Sequence, residues 1–164
     1  MREKQYHTFA PVADENSKIL ILGTFPSVKS REEGFYYGHK QNRFWRVLAG
    51  LLKDEIPATI DEKKDFLLKH NIALWDVAKS CEIENSADSS MKNVEPNDIK
   101  ALVGKYKIEC IFLNGKTALK LYEKFFKNNS EIKYYSLPST SPANAAFSLE
   151  MLQNNWQKIL DFVQ

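Results

Sequence analysis

The chain has 164 residues, 43% of them hydrophobic and 12% aromatic, with a net charge of +2 at pH 7. That is the length of one domain with apolar side chain enough for a substantial core, which excludes a disordered chain. No apolar run approaches the roughly 18 residues of a membrane span, and the polar stretch from Met1 to Asn16 holds no signal-peptide apolar region. The expectation is a single domain over residues 1–164, cytoplasmic, monomeric and without a membrane partner.

Ile19-Leu20-Ile21-Leu22 is a short all-apolar run ending at Gly23. It reads as a strand buried on both faces. From Asn42 the pattern turns helical, with Phe44, Val47, Leu48 and Leu51 at i, i+3, i+4 and i+7 and Asn42 placed to cap it. Thr59 and Glu62 have capping-box spacing for a second helix through Phe66 and Leu67, closed at Asn71. Ile72 to Val77 is a second strand. Glu82 to Asn97 is rich in Ser, Asn and acid and reads as a long loop, which compact domains tend to use functionally. Pro96 opens a short helix carrying Ile99, Leu102 and Val103. Ile108 to Leu113 is a third strand, followed by a helix with Ala118, Leu121, Tyr122 and Phe125 on one face. Ile132 to Leu137 is a fourth strand. The last helix carries Leu149, Leu152, Trp156, Ile159 and Val163.

Alternating strands and helices predict an α/β fold: a three-layer α/β/α sandwich around a mainly parallel four-stranded sheet. Ligands of such sheets bind outside the carboxyl ends of the strands. Those ends are Gly23–Ser27, Asp76, Asn114 and Leu137–Ser141, so the unusual residues gather on one rim.

Each segment also has an ordinary reading. Gly23-Thr24-Phe25-Pro26-Ser27 lacks the Gly-Lys-Ser/Thr of a phosphate loop, and alone it is a strand-to-loop turn. Leu137-Pro138-Ser139-Thr140-Ser141-Pro142 frames three hydroxyls between prolines, suited to holding DNA phosphates or to a plain turn before a helix. Asn42 and Asn114 sit where helices start. Capping is the ordinary role there, and orienting water or pairing with a base edge is the functional one. Asp76 either anchors a loop or faces a ligand. Between Lys29 and Arg46, Lys29, Arg31, Lys40, Arg43 and Arg46 interleave with Phe35, Tyr36, Tyr37, Phe44 and Trp45. That mixture suits a phosphate backbone with a base to stack, although charge alone fits a solvated loop before an amphipathic helix as well or better. His7, His39 and His70 are scattered, and only His39 falls in a suspect region. Cys81 and Cys110 stand far apart without a partner motif, so no metal or iron–sulfur cluster is expected.

In order, Gly-Thr-Phe-Pro-Ser, Phe35-Tyr36-Tyr37-Gly38-His39 and Asn42-Arg43-Phe44-Trp45 resemble the first motif of the uracil-DNA glycosylase superfamily. Leu137-Pro-Ser-Thr-Ser-Pro resembles its second, DNA-gripping motif. Ala73-Leu74-Trp75-Asp76-Val77, Ser86-Ala87-Asp88-Ser89 and Phe112-Leu113-Asn114-Gly115 resemble the hypoxanthine-DNA glycosylase branch. The resemblance runs from about residue 8 onward. It implies a base-excision enzyme that flips a deaminated base out of DNA, hypoxanthine first, and hydrolyses its N-glycosidic bond without metal or cofactor. It implies catalytic roles for Asn42 and Asn114. Phe25, Phe35, Tyr36 and Asp76 would contact the base, and Gly23, Ser27, Lys40, Arg43, Ser139, Thr140 and Ser141 the DNA. Phe25 stands where many superfamily members carry Asp or Asn, and Leu137 where the classical uracil enzymes carry His. Both departures fit the hypoxanthine branch. The alternatives are a uracil or mismatch-specific glycosylase, and an inactive module that binds damaged DNA or a nucleotide.

Overall fold

A computed structural model describes residues 3–83, 91–127 and 131–163. The four apolar runs of the sequence make one sheet. Its strands are β2 (Ile19–Gly23), β3 (Ile72–Asp76), β6 (Cys110–Asn114) and β7 (Lys133–Leu137), in the order β3-β2-β6-β7 and parallel throughout. Every residue of β2 and β6 is buried. Successive side chains of a strand point to opposite faces. Accordingly Ile19 and Ile21 join one apolar cluster while Leu20 and Leu22 join another.

The first cluster is covered by α2 (Phe44–Leu52), α3 (Ile60–Lys69), α6 (Leu149–Trp156) and α7 (Leu160–Val163), which contribute Phe44, Leu48, Leu67, Leu152, Trp156 and Val163. The second lies under α4 (Ile99–Tyr106) and α5 (Lys116–Phe126), through Ile99, Leu102, Ala118 and Tyr122. Three layers result, as expected. The capping box is present: Glu62 N–H donates to Thr59 Oγ1 at 3.1 Å, and Thr59 N–H to Glu62 Oε1 at 3.0 Å. Asn71 follows the end of α3 with a φ of 63°, the left-handed conformation that Asn tolerates. No helix among the described residues is long and apolar enough to cross a membrane.

A second sheet, absent from the sequence reading, has three antiparallel strands: β1 (Glu3–Tyr6), β4 (Ala78–Ile83) and β5 (Lys92–Pro96), in the order β1-β4-β5. The expected long loop is therefore partly strand at both ends, and its Ser86–Ser89 segment lies outside the described residues. β4 starts one residue beyond β3. Val77 N–H donates to Gly23 O, and Asn97 Nδ2 donates to Asp76 O and Ala78 O, which secures the corner between the sheets. A six-residue helix, α1 (Val28–Glu33), lies within the first motif, after Ser27, and was also unforeseen. Its positions show too short a repeat to signal a helix.

Candidate functional site

Gly23, Asp76 and Asn114 end three neighbouring strands, and the loop after β7 closes over them. The rim expected from the sequence is therefore present in space. At its centre Asn114 is only 8% exposed. Its Nδ2 donates to Tyr37 Oη and to Thr140 Oγ1, both at 3.1 Å, and its Oδ1 accepts from Thr140 N–H at 3.1 Å. One amide thus ties the first motif to the second. Capping does not explain Asn114: Gly115 is the cap residue of α5. Gly115 has a φ of 100°, and a Cβ there would lie 3.1 Å from Ser139 Cβ, so the position demands glycine.

Gly23 serves the same closeness. A Cβ on it would lie 2.4 Å from Asp76 Oδ1 and 2.7 Å from Tyr37 Oη. Both groups therefore converge on the bare backbone where β2 ends. Tyr37 holds a φ of 53°, a costly conformation for an aromatic residue, and its ring stacks on Phe44 with centroids 4.1 Å apart. Strained residues of this kind cluster at sites that need a fixed geometry.

Asn42 is half-buried, and its Oδ1 accepts the first backbone N–H of α2, from Phe44, at 3.0 Å. The cap residue of α2 is however Arg43, which makes no side-chain capping bond, so Asn42 stands one position before the cap expected of it. Its backbone neighbour ties in the second motif, since Arg43 N–H donates to Thr140 O at 3.1 Å.

The aromatic residues assigned to stacking on a base are placed elsewhere. Phe35 and Tyr36 are buried, and Phe35 packs between Phe9, Tyr36 and Trp45. Tyr36 Oη donates to Ala10 O at 2.9 Å, and burial, with Asp76 and Tyr37 adding, pushes its phenol far above the usual range. Phe25 is buried under the small sheet, with Arg31 over its ring. The physical reason is apolar burial: these rings complete cores, whereas Tyr37 alone turns toward the rim. Arg43 is likewise engaged inside the protein. Its Nη1 donates to Phe147 O, and its Nη2 to Ser141 O at 2.8 Å and Asn144 O at 3.1 Å. A guanidinium with three carbonyl partners braces the second-motif loop instead of facing a phosphate.

That loop is braced further by Trp156 Nε1, which donates to Pro138 O at 2.9 Å, and by Asn144 Nδ2, which donates to Ser139 O at 3.0 Å. Ser139 and Ser141 stay half-buried, and Ser139 Oγ accepts from Ser141 N–H at 3.1 Å. Thr140 is fully buried. Ser27 caps α1 through Ser30 N–H at 3.2 Å. Lys40 is exposed, while Lys29 pairs with Glu33 at 3.5 Å.

Sequence reasoning missed His7. Its Nε2 lies 2.8 Å from Asp76 Oδ2, with side chains 3% and 5% exposed. The two are 69 positions apart, and His7 directly follows β1 of the unforeseen sheet, so no local pattern could pair them. Cys110 is a buried core thiol, pushed up to about 11 by burial, which makes it inert.

A parallel α/β sheet with a buried amide at its carboxyl rim, bonded to Tyr37 and to the proline-framed loop after β7, belongs to the class of folds that bind a ligand at the strand ends. The comparisons with known proteins narrow the class. The family model of the uracil DNA glycosylase superfamily matches residues 10–162. A hypoxanthine DNA glycosylase of Methanosarcina acetivorans is 38% identical over 156 residues, covering 92% of this chain and 95% of the relative. A second, from Methanosarcina barkeri, is 36% identical over 110 residues, covering 66% and 70%. A solution NMR structure from Methanosarcina acetivorans, provisionally assigned as a uracil DNA glycosylase, superposes with a TM-score of 0.77 at 32% identity, covering 93% of this chain and 96% of the other. This chain belongs to the uracil DNA glycosylase superfamily.

Proposed function

We propose that the protein is a base-excision glycosylase that releases hypoxanthine from DNA. The observation that carries this reading is the Asn114 amide, held at the strand ends between both superfamily motifs. The names of the two relatives, each more than a third identical, favour hypoxanthine as the base.

An enzyme group cannot reach a base within the duplex, so the nucleotide must flip out; this costs a few kcal/mol, least at a damaged or mismatched pair. The bond from the sugar C1′ to the base nitrogen then breaks, water supplies the new C1′–O bond, and the base leaves with the bonding electrons. Positive charge develops on the sugar, as in glycoside hydrolysis. Negative charge develops on the base, where fixed amide donors stabilise the transition state. Asn114 takes that role by turning onto the base the Nδ2 hydrogen that Tyr37 Oη otherwise accepts. Asn42 orients the water, Asp76 contacts the base, and Ser139, Ser141 and Lys40 meet the phosphates.

Strand incision at the abasic product, over oligonucleotides carrying hypoxanthine, uracil or xanthine, tests the reading. Hypoxanthine should be released fastest. Preferential release of uracil would turn the assignment to the pyrimidine lesion, and binding without release would mark an inactive module.

A further inference from the structure

His7, buried against Asp76, has no place in the chemistry described so far, and its surroundings give it one. Two polar side chains, each at most 5% exposed, meet at 2.8 Å directly beneath the rim. A carboxylate buried without a partner is costly, so His7 is what allows Asp76 to stand there. The imidazole is itself confined. Its backbone N–H donates to Lys79 O at 2.8 Å, and its ring lies among Phe9, Tyr36 and Phe25, with centroids 4.7, 5.8 and 6.3 Å away. A carboxylate only accepts hydrogen bonds, so Nε2 carries the proton in this pair. With Oδ2 held by His7, Oδ1 lies against the bare backbone of Gly23, where a Cβ would stand 2.4 Å from it and 2.7 Å from Tyr37 Oη.

An acceptor fixed at the floor of a base site has a specific chemical consequence. Adenine carries a bare acceptor nitrogen at N1. Deamination to hypoxanthine puts a proton on that nitrogen and makes it a donor. A carboxylate oxygen attracts the second and repels the first. We propose that His7 is a positioning residue: through Asp76 Oδ2 it fixes Oδ1 to accept the ring N–H that deamination creates, so that the pair separates the lesion from its parent base. This inference rests on the glycosylase reading above. Sites built to bond a ligand N–H reject analogues lacking it by factors on the order of 10⁴, because their own buried group is left unpaired.

The test is single-turnover base release with saturating enzyme on duplexes carrying hypoxanthine or N1-methylhypoxanthine, using wild type, His7→Phe and His7→Gln. The aromatic surroundings suit Phe in shape, and Gln retains an N–H donor. Wild type should strongly prefer the unmethylated base. His7→Phe should lower hypoxanthine release about 100-fold, with affinity for abasic-site DNA unchanged. It should also lose most of the discrimination against the methylated base, while His7→Gln recovers both within about tenfold. Retention of wild-type rate and discrimination by His7→Phe overturns the proposal, as does a slowed enzyme whose discrimination is unchanged, since that is the mark of packing alone. If His7→Phe does not fold, Asp76→Asn carries the test in the same assay. Lost discrimination supports the proposal, and kept discrimination overturns it. A wild-type enzyme that releases no base overturns the glycosylase reading and this inference together, whereas an active wild type with an indifferent His7 overturns this inference alone.

Discussion

The central sheet and the small sheet differ most between the inner strands of the first and the outer strands of the second. β2 and β6 are buried at every position, while β1 is mostly exposed and β5 has no buried residue. The first sheet holds the fold together and sets the rim. The second adds only a minor cluster, Phe25, Ala78, Cys81 and Ile83, yet it brings His7 under Asp76. Stability and site construction are thus divided between them. The segment that completes the site contributes least to the core.

The sharpest way to break this comparison is to truncate one apolar side chain in each sheet. Ile21→Ala, fully buried in the first cluster, should cost about 4 kcal/mol of unfolding free energy by chemical denaturation. Ile83→Ala in the small sheet should cost less than about half of that, but should slow base release by loosening the strand that pairs with β1. Equal stability losses would show that the two sheets share the core.

Next in size is the contrast between two basic residues of one motif. Arg43→Met leaves three carbonyls of the second-motif loop without their donor and should cost on the order of 3 kcal/mol. Its DNA affinity should keep the wild-type salt slope. Lys40→Ala should leave the melting temperature alone and make that slope shallower by about one unit, because each phosphate contact releases counterions. A flatter slope for Arg43→Met would return Arg43 to the phosphate backbone.

The smallest effect is expected far from the rim. His70 and Lys69 bond Asp54 and hold its carboxyl well below the usual carboxylate range. A depressed folded value stabilises the protein above the unfolded value, about pH 4, and that contribution is lost as pH falls further. Wild type should therefore melt slightly above Asp54→Asn at neutral pH, and the gap should close under acid. A gap independent of pH would remove the carboxylate as its cause.

The central sheet was legible because doubly buried strands leave continuous apolar runs, as at Ile19–Leu22 and Ile111–Leu113. The rim followed from topology, and Gly23, Asp76, Asn114 and Thr140 do meet there. The small sheet was not legible, since Lys92-Asn93-Val94-Glu95-Pro96 and Glu3-Lys4-Gln5-Tyr6 carry no apolar alternation. Nor could the sequence tell which of Phe35, Tyr36 and Tyr37 faces the site, because that turns on the left-handed backbone at Tyr37. The braced state of Arg43 depends on carbonyls about 100 positions away.

The most direct test of the account is Asn114→Ala, measured by single-turnover release of hypoxanthine alongside thermal melting. Loss of a donor aimed at developing charge should slow release roughly 100-fold per folded molecule, about 3 kcal/mol. The melting point should also fall, since the amide makes three bonds between the motifs. A lowered melting point with wild-type release would contradict the account and leave Asn114 as a strut between two loops.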